Sequence, residues 1–401
     1  MFLDLLRRRN PKFIEAAMAL HQEGKIPANA YVLDLDAVEH NAKTLRAEGD
    51  KLGMKVFAMT KQVGRNSAFC QASVRGGVNQ AVAVDVACAV ACKRAGMDIG
   101  HIGHLVQVPK FEADMVASYL QPHYWTVFSL EKAQEAAAAA HKAGRQQDIL
   151  VRIKSDGDVF YKGHEGGIKA SDIVEFAHKV DAMDGARFAG ITTFPALLFD
   201  QDTHEVQPTP NLTTLENAAA ALIDAGFTDI EINAPGTTSS VVLEALAKAG
   251  ATQCEPGNGL HGTTPLHAIK DLPELPAVLY LSEVSHLHED KAYCFGGGLY
   301  IDPVFPDYDV KALVGGAPTV DEKALASVDI PPTSAIDYYG MIDCTGSVQP
   351  QSGDSVVFGF RGQAFVKRAY TVGVSGISTG NPKVETIENI FGQAENWPNL
   401  R

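Results

Sequence analysis

From residue 55 to residue 260 the chain alternates short apolar runs with Ala-rich stretches of helical period, and this rhythm constrains the fold more than any other feature. The runs are Lys55–Thr60, Gln80–Val84, Ile99–Gly103, Tyr124–Phe128, Ile149–Ile153, Phe188–Thr193, Asp229–Asn233 and Ala251–Cys254. Stretches such as LEKAQEAAAAAHKAG, LTTLENAAAALIDAG and SVVLEALAKAG lie between them. Each ends in Gly, the residue that most readily takes the left-handed conformation just past a helix. Ser129 and Ser171 stand where N-caps belong. Eight strand-like runs alternating with helices are what a (β/α)8 barrel requires. A doubly wound sheet is the competing architecture, but its GxGxxG turn should follow the first strand, where the sequence reads MTKQVGRN.

Both ends of the chain lie outside this rhythm. The N-terminus, MFLDLLRRRNPKF, reads as the start of an amphipathic helix, and Tyr31–Asp36 as a strand followed by a helix over Ala37–Leu52. After about residue 270 the pattern becomes two-residue alternation with Gly-rich turns, as in VLYLSEVSHL, AYCFGGGLYID and SGDSVVFGF. That predicts an antiparallel β domain, with the early strand joining its sheet. The expected divisions are residues 1–36 (helix and strand joining the β domain), 37–270 (the barrel) and 271–401 (the β domain).

Charge narrows the partners. With 34 Lys and Arg against 48 Asp and Glu the net charge is −14, so neither nucleic acid nor an anionic membrane surface is an expected partner. The basic N-terminus lacks the apolar core and small-residue cleavage site of a signal peptide, and no run is long enough to span a bilayer. A cytoplasmic protein is expected. The six cysteines are sparse over 401 residues, which argues against a secreted disulfide framework. Cys88 and Cys92 share one helix face, where they read as small packing residues.

Barrels of this kind carry their chemistry at the C-terminal ends of the strands. Lys61 follows the first run, KVFAMT, where an apolar rim would depress its pKa and make it a usable amine nucleophile. After the seventh run come Asn233, Thr237 and Thr238, whose loop leads into a helix N-terminus suited to phosphate. After the eighth come Glu255 and the segment Gly257, Asn258 and Gly259, whose backbone amides an anion can approach closely. A lysine, a two-loop phosphate cradle and a carboxylate point to pyridoxal 5'-phosphate (PLP), with Glu255 at the pyridine nitrogen.

The same residues resemble a known family. YVLDLDAVEHNAKTLRAEGDKLGMKVFAMTKQVGRN resembles the opening of the alanine racemase-like PLP enzymes of fold type III. GITTFPALLFDQD resembles their sixth-strand motif, INAPGTTSS their phosphate loop, EPGNGLHG their eighth-strand loop, and IDCTGSVQPQSGDSVVF an element of their β domain. The likeness covers essentially the whole chain and is strongest to ornithine racemase-like and YhfX-like proteins. It implies Lys61 as the Schiff-base lysine and Thr237, Thr238, Gly257, Asn258 and Gly259 as phosphate holders. It also implies a homodimer on a small amino-acid substrate, with each site completed by the partner subunit.

Departures from the family pattern carry their own expectations. Glu255 stands where alanine racemases have Arg; a carboxylate favours the protonated pyridine, a stronger electron sink, and widens the chemistry from racemisation to retro-aldol, elimination or decarboxylation. Phe194 replaces the His that stacks on the cofactor. The tyrosine serving as second base has no clean match, leaving Tyr293, Cys294, Tyr338, Tyr339 and Cys344, of which Tyr293 and Cys344 are taken forward. His164 and Arg152 are the candidate substrate-binding residues. His101 with His104, and His286 with His288, have spacings a metal can use, but no metal is assigned. The expectation is a PLP-dependent enzyme acting at Cα, racemisation first. A D-threonine aldolase-like lyase, dehydratase or decarboxylase is the alternative, and a non-catalytic PLP-binding protein a third.

Overall fold

The computed structural model describes residues 1–399, and by internal contacts the chain divides into two compact units. One comprises Ala42–Thr60 and Ser73–Leu260; the other comprises Met1–Asn41, Lys61–Ala72 and His261–Arg401.

The first unit is a parallel barrel. Its strands are Gln80–Ala83, Asp98–Ile102, Tyr124–Val127, Gln147–Lys154, Ala186–Thr192, Glu231–Asn233 and Gln253–Cys254, each paired in parallel with the next. The first strand closes the ring in two halves. Lys55–Val56 pairs with Gln253–Cys254, and Ala58–Met59 pairs with Gln80–Ala83, with a break at Phe57. All eight expected runs therefore form strands around one sheet, and the described residues hold no doubly wound arrangement. Interior positions such as Ala81, Val82, Ile149, Val151 and Ile191 are buried, as parallel strands covered by helices demand. Ser129 caps the helix Leu130–Lys142 by accepting from the amide of Lys132. Ser171 does not act as expected: a short 3-10 turn, Ala170–Asp172, intervenes, and Asp172 is the N-cap of Ile173–Asp181.

The second unit is an antiparallel sheet built from both chain ends. The early strand spans Ala30–Asp34 rather than Tyr31–Asp36, because Asp34 Oδ1 accepts the amides of Asp36 and Ala37 and starts the helix Leu35–Lys51 two residues sooner. It lies between Val278–His288, antiparallel, and Tyr370–Ser375, parallel. Six further pairings link Val278–His288, Lys291–Phe295, Tyr339–Asp343, Leu325–Asp329, Lys311–Gly315 and Ser355–Phe358 into a closed ring. The N-terminus forms two helices, Phe2–Arg9 and Pro11–Gln22, broken at Asn10-Pro11 because Pro is favoured in the first turn of a new helix. Leu3, Leu6, Phe13, Ile14 and Met18 pack on Val32, Leu279, Leu281, Val357 and Val372 to make this unit's core. Among the described residues no helix is long and apolar enough to cross a membrane.

Candidate active site

At the C-terminal ends of the barrel strands, side chains far apart in sequence converge on Glu255. The carboxylate follows the eighth strand and is 5% exposed. Its Oε1 lies 2.5 Å from His101 Nδ1, on the third strand, and accepts from Asn233 Nδ2, on the seventh, at 2.9 Å. Its Oε2 pairs with His104 Nε2 at 3.2 Å without a hydrogen bond of good geometry. His101 is itself fixed from behind by Thr126 Oγ1, 2.6 Å from Nε2, and the two imidazoles stack at 5.0 Å. Asn233 is held by Thr192 Oγ1, which donates to its Oδ1 at 2.7 Å. Burial alone would push the Glu255 carboxyl up. The charges of His104 and His101 and the hydrogen bonds from His101 and Asn233 outweigh it and hold the group below the usual carboxylate range. The ligating atoms of His101, His104 and Glu255 lie within 4.8 Å of one another, a spacing a divalent cation could also bridge, but the contacts present are those of a hydrogen-bonded carboxylate.

The two loops expected to cradle phosphate are adjacent. Ala234 follows the seventh strand, and the loop is pinned to the hairpin after the sixth by Ala196 N donating to Pro235 O and Thr237 N donating to Leu197 O. Thr238 is buried and its hydroxyl donates to Gly236 O. Gly257 precedes the 3-10 turn Asn258–His261, and Leu260 N donates back to Gly257 O. Gly259 packs directly on the Thr238 backbone. Asn233, expected with the phosphate loop, instead directs its amide to Glu255 and, at 3.2 Å, to Gln253 Oε1.

Arg152, on the fifth strand, is completely buried. The structure points it inward: it donates to the carbonyls of His104, His164 and Phe194 at 2.8–3.1 Å. Its guanidinium also lies over the Phe128 ring at 5.2 Å. Burial lowers its pKa to about 10, so it stays charged at neutral pH. Phe194, after the sixth strand, meets His104 edge-on at 6.1 Å and lies 5.9 Å from the His164 ring. Arg152 thereby ties the loops that carry His104, His164 and Phe194 into one rim.

The remaining candidates lie in the other unit. Lys61 opens the turn Lys61–Val63 immediately after Thr60, with its ammonium 5.5 Å from the Phe365 ring centre. Tyr293 stacks on His286 at 4.8 Å within a hairpin. Cys344 follows the strand Tyr339–Asp343 and is the one cysteine of six not fully buried. Cys88 and Cys92 are fully buried in their helix, as packing residues are. Sequence reasoning left His101 and His104 out of the site. The signal was available in the HxxH spacing at the end of the third strand, but their partner lies 154 residues away.

Comparison with known proteins places this geometry. Residues 33–265 match the alanine racemase N-terminal domain model, and residues 279–384 match the YhfX-like C-terminal domain model. The uncharacterized protein YhfX of Escherichia coli (strain K12) is 39% identical over 391 residues, covering 96% of this chain and 97% of that protein. Among solved structures, D-threonine aldolase from Filomicrobium marinum superposes with a TM-score of 0.69 at 17% identity, covering 92% of this chain and 96% of that one. D-threo-3-hydroxyaspartate dehydratase from Delftia sp. HT23 gives 0.63 at 15% identity over 90% and 97%. The alanine racemase of Clostridium difficile 630 in complex with cycloserine gives 0.61 at 16% identity over 91% and 99%. At these identities the structural likeness establishes the fold.

Proposed function

The chain belongs to the alanine racemase N-terminal domain family, with a YhfX-like C-terminal domain, and from that premise we propose that it is a PLP-dependent enzyme acting at Cα of a small amino acid. The observation that carries this reading is the register between the first and eighth strands. Met59, two residues before Lys61, donates its amide to the carbonyl of Pro256, the residue after Glu255. The strand that precedes Lys61 in the chain therefore runs beside the strand that leads into Glu255, and the Thr238–Gly259 contact sets the two Gly-containing loops side by side. A buried, ionised carboxylate beside a two-loop cradle fits the pyridine and phosphate ends of the cofactor.

When bound, PLP supplies an electron sink for the pair left at Cα. The protein's part is binding and proton handling. Lys61 Nζ would hold the cofactor aldehyde and carry a proton to or from Cα. Thr237, Thr238, Gly257, Asn258 and Gly259 would hold the phosphate, and Glu255 would accept from the ring nitrogen. Phe194 offers a ring face beside His104 and His164, and Arg152 fixes that rim. His164 is the remaining substrate-contact candidate. A second base from another copy of the chain, Tyr293 or Cys344, would complete a racemase in a homodimer. Racemisation is the first reading; the ionised Glu255 specifically favours lyase chemistry as the second, since a protonated ring stabilises a longer-lived carbanion.

The test is direct. Purified protein incubated with PLP should acquire visible absorbance that Lys61→Ala abolishes, and Cα hydrogen–deuterium exchange across an amino-acid panel should identify the substrate. Protein that stays colourless after incubation with PLP overturns the reading.

A further inference from the structure

Glu255 offers its two oxygens unequally. Oε1 is filled, with the His101 ring nitrogen at 2.5 Å and the Asn233 amide at 2.9 Å taking both lone pairs. Oε2 is buried, has only the His104 imidazole at 3.2 Å, and makes no hydrogen bond of good geometry. A buried carboxylate oxygen left this way is unfavourable unless a donor completes it. The clamp on Oε1 is also braced from outside. Thr126 Oγ1 sits 2.6 Å from His101 Nε2, so both ring nitrogens are engaged and the ring is fixed with Nδ1 toward Glu255. Thr192 orients Asn233 so that its NH2, not its carbonyl, faces the carboxylate. Third, fourth, sixth and seventh strands therefore each contribute one member to a device that ends at the eighth.

Resting on the PLP reading above, we propose that His101 and Asn233 are positioning residues. They lock Glu255 Oε1 and present Oε2 of an ionised carboxylate as the acceptor for the ring N–H of the pyridine, keeping that nitrogen protonated. Among the described residues, the titratable groups that face Glu255 are His101, His104 and, along its own strand, the buried Cys254 thiol. The arrangement predicts more than Glu255 alone does. A carboxylate free to rotate or to take up a proton could not hold the ring nitrogen protonated, so the clamp decides whether the cofactor acts as a strong electron sink.

The experiment is nitrogen NMR of the holoenzyme loaded with PLP labelled with nitrogen-15 in the ring. The wild type should show a protonated ring nitrogen at about pH 8. His101→Asn, which keeps a donor at the Nδ1 position, should match it. His101→Leu, Asn233→Ala and Glu255→Gln should each shift the signal toward the unprotonated form. An unprotonated nitrogen in the wild type, or a His101→Leu signal identical to wild type, overturns the proposal. Should the leucine variant fail to fold, infrared difference spectra of the unloaded wild type against Glu255→Gln decide the matter. An ionised Glu255 band retained from about pH 8 to about pH 5, and unchanged by chelator, supports the clamp. A protonated-acid band in that range, or one that appears on chelation, refutes it. Failure of the wild type to bind PLP at all would refute the functional reading, while the infrared measurement would still judge the clamp.

Discussion

The carbonyl oxygen of Thr238 lies 2.5 Å from the point a β-carbon on Gly259 would occupy. The loops after the seventh and eighth strands therefore touch through backbone, with no room for a side chain. Gly259→Ala should force them apart. The expected result is a fold that melts near the wild-type temperature but binds PLP about tenfold or more weakly, read by equilibrium dialysis. Unchanged affinity would remove these loops from the phosphate site.

Arg152 makes its bonds to three carbonyls that belong to three different loops. Arg152→Met keeps the apolar stem but not the guanidinium, and leaves those buried carbonyls without this donor. A loss of about 3–5 kcal/mol in unfolding free energy is expected from urea denaturation, because charged hydrogen bonds in a buried site are involved. A loss below about 1 kcal/mol would show that the rim is held by other contacts.

Asp34 is buried, and burial raises its carboxyl to about 6 against the donors Asn10 and Ala37, which lower it. A folded-state pKa above the unfolded 3.8 means the unfolded chain releases its proton first as pH rises. The contribution of Asp34 is therefore most favourable below about pH 4 and is lost as pH climbs to about 6, a difference of about 3 kcal/mol. Asp34→Asn, which keeps an oxygen for the helix amides, should flatten that part of the stability–pH curve. Parallel curves for the two proteins between about pH 4 and 6 would contradict the assignment.

Of the six cysteines, Cys344 alone is partly exposed, and burial raises its pKa. Native alkylation followed by mass spectrometry should give a single adduct at Cys344, formed slowly and faster at higher pH, and six after denaturation. Rapid labelling of Cys88 or Cys92 would contradict their packing role.

Much of the barrel is legible in the chain because parallel strands covered on both faces must be continuously apolar. Runs such as Tyr124–Val127 and Ala186–Thr192 announce themselves. The break at Phe57 does not, since it arises from closing the ring: one strand must satisfy two neighbours whose registers differ. Ser171 misled because the 3-10 turn Ala170–Asp172 moves the helix start, so the N-cap position falls on Asp172, which makes no side-chain capping bond. In the site, Glu255 and the Gly-containing loops are readable from their position after a strand. The role of His101 is not, because no local pattern tells which of the other strand ends its ring will meet. Asn233 reads as a phosphate-loop residue for the same reason. Its direction depends on Thr192, a hydroxyl one strand away.

The strand Ala30–Asp34 sits between a segment ending at His288 and one ending at Ser375. During synthesis this has a temporal consequence. All five of its residues are buried in the finished protein, yet its antiparallel neighbour emerges some 250 residues later and its parallel neighbour some 340 later. The barrel segments ending at Leu260 can be complete on the ribosome while this early strand still waits with both edges open. Assembly of the β unit is thus a late event, and an apolar strand exposed for most of translation is the segment a holding chaperone would be expected to shield.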